Sequence, residues 1–376
     1  MQFLRRLSPG QLAAGAVALV VLLAVVIWFG LGLGSPPEAL PSPSESSSPS
    51  TSPSVSPSAS PSTAELTTCP LSGMPLDDPS VAEKVAIAVQ VENHPLSRPA
   101  RNLSNADMVV EAPVEGDVTR FSAIFLCRPT DGLTGPIRSA RYYEVDLWQD
   151  LHILPVGFGA SGGSLSRFAA AGMPYVNGIT GQWPWFERYG TSFAPHNLYG
   201  DMEALRAAIG QGDPIDRLVE DVGTLRPPFT FDVDAVLPEG HAVSSFVMQT
   251  NSYWRFGWSL TEADGSWTRQ DAGKTVTDEV TGQPLTATSV VVQRVKEEVV
   301  FGDPDPGGNT RRLQHLIGEG DGTLYVQGTA IALHWSRPTA EDGTTWTYAD
   351  SGDPVVLPPG QVWWEIIPIP ASLTES

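Results

Sequence analysis

Apolar and polar positions divide this chain into four unlike stretches. Residues 12–34, LAAGAVALVVLLAVVIWFGLGLG, form one unbroken apolar run with Arg5 and Arg6 ahead of it. A run of that length can cross about 30 Å of hydrocarbon as a helix. The paired arginines favour a cytoplasmic N-terminus, residues 1–11, and an extracytoplasmic remainder. A cleaved signal peptide is the alternative, although its apolar region spans only about 7–15 residues. The pattern therefore predicts a single-pass anchor in the cell membrane. Residues 35–64 alternate Pro and Ser and contain almost nothing to bury. They read as a disordered linker, extended at about 3 Å per residue where polyproline-like and open to O-glycosylation.

From residue 65 the periodicity is that of a folded protein. Short apolar runs at 85–91, 108–112, 121–127 and 153–158 predict strands. Helical spacing appears at 142–151, at 164–171 with Ser164 as cap and Gly172 as stop, and at 201–209 before Gly210. Strands alternating with helices predict an α/β N-terminal domain over 65–226. After Pro227 and Pro228 short aromatic strands take over, at 229–233, 244–250, 288–295, 323–328 and 330–335. They predict a mostly-β C-terminal domain over 227–376. Seven of the 11 tryptophans fall there: Trp254, Trp258, Trp267, Trp335, Trp346, Trp363 and Trp364. Tryptophan faces can stack on sugar rings, but large aromatics in strands more often form core.

Charge narrows the partners. Asp and Glu number 42 against 22 Lys and Arg, for a net charge of −20. Such a surface repels polyanions and argues against nucleic-acid binding. Cys69 and Cys127 are the only cysteines. In an oxidising compartment they predict one disulfide, whose loop contributes about 3–4 kcal/mol by chain entropy. Neither has a CxxC or nearby His partner, so no metal site and no cofactor are expected.

Four polar phrases sit at predicted strand and helix ends, where α/β folds place ligands. ENHPLSRPARNL carries Asn93, His94, Arg98 and Arg101. VVEAPVEGDVTRF carries Glu111, Glu115, Thr119 and Arg120, TGPIRSARYYEVD carries Arg138, Ser139 and Arg141, and APHNLYGD carries His196, Asn197 and Tyr199. With the opening CPLSGMPL, these phrases in this order resemble the YerB-like lipoprotein family, whose domain is one of unknown function. The likeness covers nearly all of 69–370, including the ending VVLPPGQVWWEIIP. It implies a two-domain extracytoplasmic protein and names no catalytic activity. It also implies that the turn at 159–164 centres on Gly-Gly-Ser, with Ser164 as helix cap. One departure stands out. Such relatives are lipid-anchored through an N-terminal cysteine, whereas here no cysteine precedes Cys69 and a transmembrane helix takes its place.

Three readings of function follow. Gly159-Ala-Ser161-Gly-Gly163 matches G-x-S-x-G between a strand and a helix, with His196 downstream and Glu187 able to complete the order Ser, acid, His. A turn before a Ser-capped helix produces the same letters, so Ser161 is not expected to be a nucleophile. Glu111 and Glu115, with His196, are the candidate catalytic groups of a cell-wall hydrolase or lyase, if the two carboxyls stand about 5–10 Å apart. The reading the residues favour is binding without chemistry. Asn93, His94, Arg98, Arg120, Arg138, Ser139, Arg141, His196 and Asn197 form a candidate site for an anionic envelope ligand, with guanidinium forks matching carboxylate or phosphate. Cell-wall glycan, peptide carboxylates and phosphate-bearing polymer are the candidate partners. Pairing of these arginines with neighbouring carboxylates into a loop-welding network would point instead to an envelope scaffold.

Overall fold

The computed structural model describes residues 67–376, apart from 182, 213 and 251–254. The apolar run 12–34, its flank 1–11, the linker 35–64 and Trp254 lie outside the described residues. Among the described residues no helix is long and apolar enough to cross a membrane.

The central element is one mixed sheet. Its strands are β1 (Ile87–Glu92), β2 (Met108–Pro113), β3 (Thr119–Phe125), β4 (Leu154–Gly157), β5 (Val176–Asn177), β6 (His241–Ala242), β7 (Ser289–Val295), β8 (Gly318–Val326), β9 (Thr329–Arg337) and β10 (Val362–Pro368). They lie in the order β6-β9-β8-β7-β10-β2-β3-β1-β4-β5, with Thr345–Tyr348 pairing on β9. β10 enters between β7 and β2, parallel to both, so the last strand of the long sheet is its keystone. Residues from both sides of position 227 thus share one set of hydrogen bonds.

Both faces of this sheet are covered, which is why β1, β2, β3 and β10 are buried along their whole length. On one face Ala88, Val110 and Ile124 pack with Val145, Trp148, Phe168 and Trp364. The helices there are α1 (Tyr142–Leu151) and α2 (Gly162–Ala170). On the other face Val89, Phe121 and Trp363 pack with Met202, Phe246, Trp258 and Trp267. Much of that cover is a second antiparallel sheet, including Ser245–Gln249, Arg255–Thr261 and Ser266–Asp271. Trp258, Trp267, Trp335, Trp346, Trp363 and Trp364 are all buried, so these tryptophans are core and offer no sugar platform.

The molecule is mostly β with few helices, where the alternation in 65–226 points to a fuller helical complement. The helix over 142–151 lies where its spacing places it. The next one begins two residues before the expected start. Ser161, not Ser164, is its cap, and the Ser161 hydroxyl accepts the Ser164 N–H at 3.1 Å. Two glycines make a poor first turn by propensity, and the side-chain cap offsets this. Cys69 and Cys127 are bonded, with Cα atoms 6.0 Å apart.

Candidate functional site

The polar phrases converge at one end of the strands β1, β2 and β3. β1 terminates in Glu92, in register with Arg120 of β3. The segment after Pro136 runs beside β1, its Arg138 N–H donating to the Gln90 carbonyl at 2.9 Å. That alignment sets Arg138 Nε 3.1 Å from Glu92 Oε1. The Ile137 N–H in turn bonds the Leu198 carbonyl at 2.6 Å, drawing in the loop that carries His196. His196 Nδ1 lies 3.0 Å from Glu92 Oε2, and the ring of His94 stacks on that of His196 with centroids 4.7 Å apart. A carboxylate only 3% exposed therefore holds an arginine and a histidine that remain partly exposed. Burial lowers the pKa of His94; His196 lowers it further, as do Arg138 and Arg98, against an upward pull from Glu92.

Behind this face the groups become internal. Arg120 is buried, its Nη1 donating to the Ser139 carbonyl at 2.9 Å while its Nε finds no hydrogen-bond partner. Burial, with Arg141 and Arg138 nearby, brings its pKa down to about 10. Arg141 grips Glu115 with both ends of its fork, Nε to Oε2 at 2.7 Å and Nη2 to Oε1 at 2.6 Å. Arg311, from the strand Arg311–Gln314, adds a second guanidinium to Glu115 at 2.7 Å. Burial pushes the Glu115 carboxyl up, but Arg141, Arg120 and Arg311 help bring it below its usual range. Glu144, wholly buried, accepts the Arg141 N–H, yet desolvation raises its pKa to about 7.

A second cluster lies across the sheet. Asn93 donates to Thr119 Oγ1 at 2.7 Å and to Glu111 at 3.3 Å. Glu111 is 0% exposed and takes a two-point grip from Arg269, at 2.7 and 3.0 Å. Arg98 bonds Asn93 and pairs with Asp271 of the second sheet. Side chains alternate between faces along a strand and its continuation, so the neighbours Glu92 and Asn93 serve opposite sides of one sheet.

The structure thus gathers His94, Arg138 and His196 at one surface and places Arg120 and Arg141 behind it. Ser139 contributes its carbonyl there, while its hydroxyl bonds the Phe158 carbonyl at 2.9 Å. Asn93 and Arg98 belong to the other cluster. Asn197 sits outside both, bonded to Arg188 and the Ser192 carbonyl. Arg101 pairs with Glu279 and lies over the Tyr189 ring. Glu111 and Glu115 are both buried and belong to different clusters, Glu111 bonded to Arg269, Asn93 and Thr119 and Glu115 to Arg141 and Arg311. Sequence reasoning missed Glu92, Arg269 and Arg311. Glu92 could have been found as the last residue of a strand before ENHP's loop, whereas Arg269 and Arg311 carry no local signal. Cys69, Cys127 and Asp107 crowd together as metal-type ligands, but both sulfurs are spent in the disulfide. Asp107 accepts the Leu126 and Cys127 N–H groups at 2.7 and 2.8 Å.

Comparison with known proteins agrees with the shared order of these phrases. Residues 71–214 match the N-terminal domain, and residues 244–364 the C-terminal domain, of the family described as "Protein of unknown function (DUF3048)". The chain is 29% identical over 308 residues to "Putative lipoprotein YerB" of Bacillus subtilis (strain 168), covering 81% of this chain and 88% of that protein. It is similar to the crystal structure of YerB from Bacillus subtilis with a TM-score of 0.66 at 27% identity, covering 82% of this chain and 99% of that one. With both of its domains present in order, the chain belongs to the DUF3048, YerB-like family.

Proposed function

We propose that this is an extracytoplasmic protein, anchored through the apolar run 12–34, whose Arg138, His94 and His196 bind an anionic group of the cell envelope. The observation that carries the reading is Glu92. One buried carboxylate collects a guanidinium and an imidazole and holds them at a partly exposed surface, on a molecule of net charge −20. An acidic protein attracts an anion only through a local, shaped positive patch. Arg120, buried behind Arg138, adds positive charge to that patch, while Arg141 is paired with Glu115. Membrane attachment is supported by the description of the Bacillus subtilis relative as a lipoprotein, and the extracytoplasmic side by the disulfide. A cell-wall hydrolase or lyase is the weaker reading, since the carboxylates it needs are held in ion pairs.

The test is binding of muropeptides and phosphate-bearing wall fragments to the full chain. Arg138→Lys keeps the charge and loses the fork, so binding should weaken by about 1.5–3 kcal/mol, roughly 10- to 150-fold. His196→Ala should weaken it as well. Folded variants that bind as the parent does would remove the site. They would favour the second reading, an envelope scaffold, which the ion pairs Arg98–Asp271, Arg101–Glu279 and Arg311–Glu115 support by welding distant segments together.

A further inference from the structure

The G-x-S-x-G turn is not used by the site described above, yet it is not empty. α2 starts there, and the carboxylate of Asp303 is seated at its first turn. Asp303 belongs to the tip of a hairpin formed by Glu297–Val300 and Arg311–Gln314. Its Oδ2 accepts the Tyr142 hydroxyl at 2.6 Å and lies 3.6 Å from Arg311 Nε. The Ser161 hydroxyl, which donates to Ser164 Oγ at 3.1 Å, and the Gly163 N–H lie beside it. Gly163 cannot be replaced by a residue with a side chain, because a Cβ there would fall 1.6 Å from the Tyr142 oxygen and 3.0 Å from Asp303 Oδ2. Arg311 is 7% exposed, and its Nε, aimed at this point, has no hydrogen-bond partner of its own. Partial burial pushes the Asp303 carboxyl up, but Ser161, Tyr142, Arg311 and Gly163 together bring it below the usual carboxylate range.

The arrangement has the parts of an oxyanion site: a helix N-terminus, the Tyr142 hydroxyl and a buried guanidinium, all beside one carboxylate. The carboxylate comes from a tip that is otherwise exposed. Phe301 is 85% exposed, and Gly302 and Gly308 turn the chain with φ of 82° and 83°. Asp305 closes that turn on itself through the Asn309 N–H and side-chain amide, independently of Asp303. We infer that Ser161, Gly163, Tyr142 and Arg311 form an oxyanion-binding pocket that Asp303 fills in cis, and that a free carboxylate or phosphate group can take its place. This pocket shares Arg311 with the Glu115 pair but contains none of Glu92, His94, Arg138 and His196, so a test made through Asp303 leaves the Glu92 face untouched.

Asp303→Ala and the isosteric Asp303→Asn, made in the full chain, provide the test. Thermal unfolding is followed with added formate or acetate in one arm, inorganic phosphate in a second, and chloride at equal ionic strength in a third. Emptying the pocket should lower Tm, and the fitting oxyanion should restore it in a saturable way, by about 2 °C or more at several times its dissociation constant. The parent should respond far less, because Asp303 competes at high local concentration. Rescue by formate or acetate alone identifies a carboxylate ligand, and rescue by phosphate alone a phosphate ligand. If both folded variants respond to all three salts as the parent does, Asp303 is a structural latch and the pocket does not exist. Adding Arg311→Gln to Asp303→Ala should abolish the rescue; rescue that persists would also overturn the assignment.

Discussion

Glu111 and Glu365 sit opposite each other on the parallel strands β2 and β10, and one guanidinium, Arg269, serves both. It holds Glu111 at 2.7 Å and reaches Glu365 only at 3.9 Å. Glu365 accepts the Trp258 indole N–H at 2.9 Å through one oxygen, and its other oxygen has no partner. Two buried carboxyls against one guanidinium is an unfavourable count, which favours a proton on one of them. Burial and then the neighbouring Glu111 raise the Glu365 pKa well above its ordinary value, which favours its neutral form. The two carboxyls should therefore respond oppositely to the same substitution. Glu365→Gln mimics the protonated carboxyl and should change stability by less than about 1 kcal/mol. Glu111→Gln strips a buried guanidinium of its counter-charge and should cost about 3–5 kcal/mol. Denaturant titration of both variants at pH 7 checks this, and equal costs would show that Glu365 is ionised.

At the scale of elements, α2 explains why a hydrolase-like motif need not mean a hydrolase. Its first turn has two glycines, and the Ser161 hydroxyl satisfies the N–H of Ser164. The helix also supplies the face that Phe168 packs against Trp148, with ring centroids 5.5 Å apart. Ser161→Ala should cost about 1 kcal/mol by loss of the cap, with the fold retained. A fluorophosphonate probe should leave Ser161 unmodified, since its hydroxyl donates to Ser164 Oγ at 3.1 Å and among the described residues no imidazole is bonded to it. Stoichiometric labelling at that residue would make it a nucleophile after all.

At the largest scale, the described residues are drawn together at the turn over 69–73. The Gly73 N–H bonds the Cys69 carbonyl at 2.7 Å, and the Gly360 N–H bonds the Ser72 carbonyl at 2.8 Å. Gly73 has φ of 66° and lies so close to Phe231 that a Cβ would stand 2.4 Å from that ring's own Cβ. The disulfide ties this turn to the end of β3, 58 residues on. Reduction should therefore loosen contacts with residues near 231 and 360 as well as open the loop, at a cost of about 3–4 kcal/mol in unfolding free energy. Thiol alkylation of the native protein should label nothing before reduction. Two free thiols would contradict the bond.

Much of the fold is legible along the chain because it rests on local pattern. Short continuous apolar runs mark β1, β2, β3 and β4, and period-3.6 spacing marks α1, to within a few residues, because a strand covered on both faces is apolar along most of its length. The cysteine pairing was fixed by count, there being only two. The family was legible in the order of ENHP, EGDVTRF, GPIRSAR and APHNLY. What tertiary structure alone decides is who faces whom. No spacing rule shows that β10 inserts between β7 and β2, because parallel neighbours are joined by long connections and share no local turn. The fate of each arginine follows from that insertion. Arg141 meets the nearby Glu115, but Arg98 finds Asp271 and Glu111 finds Arg269, more than 150 residues away. Charge partners are chosen by proximity after folding, so a sequence can announce a polar cluster while leaving its division between two faces of a sheet to the fold.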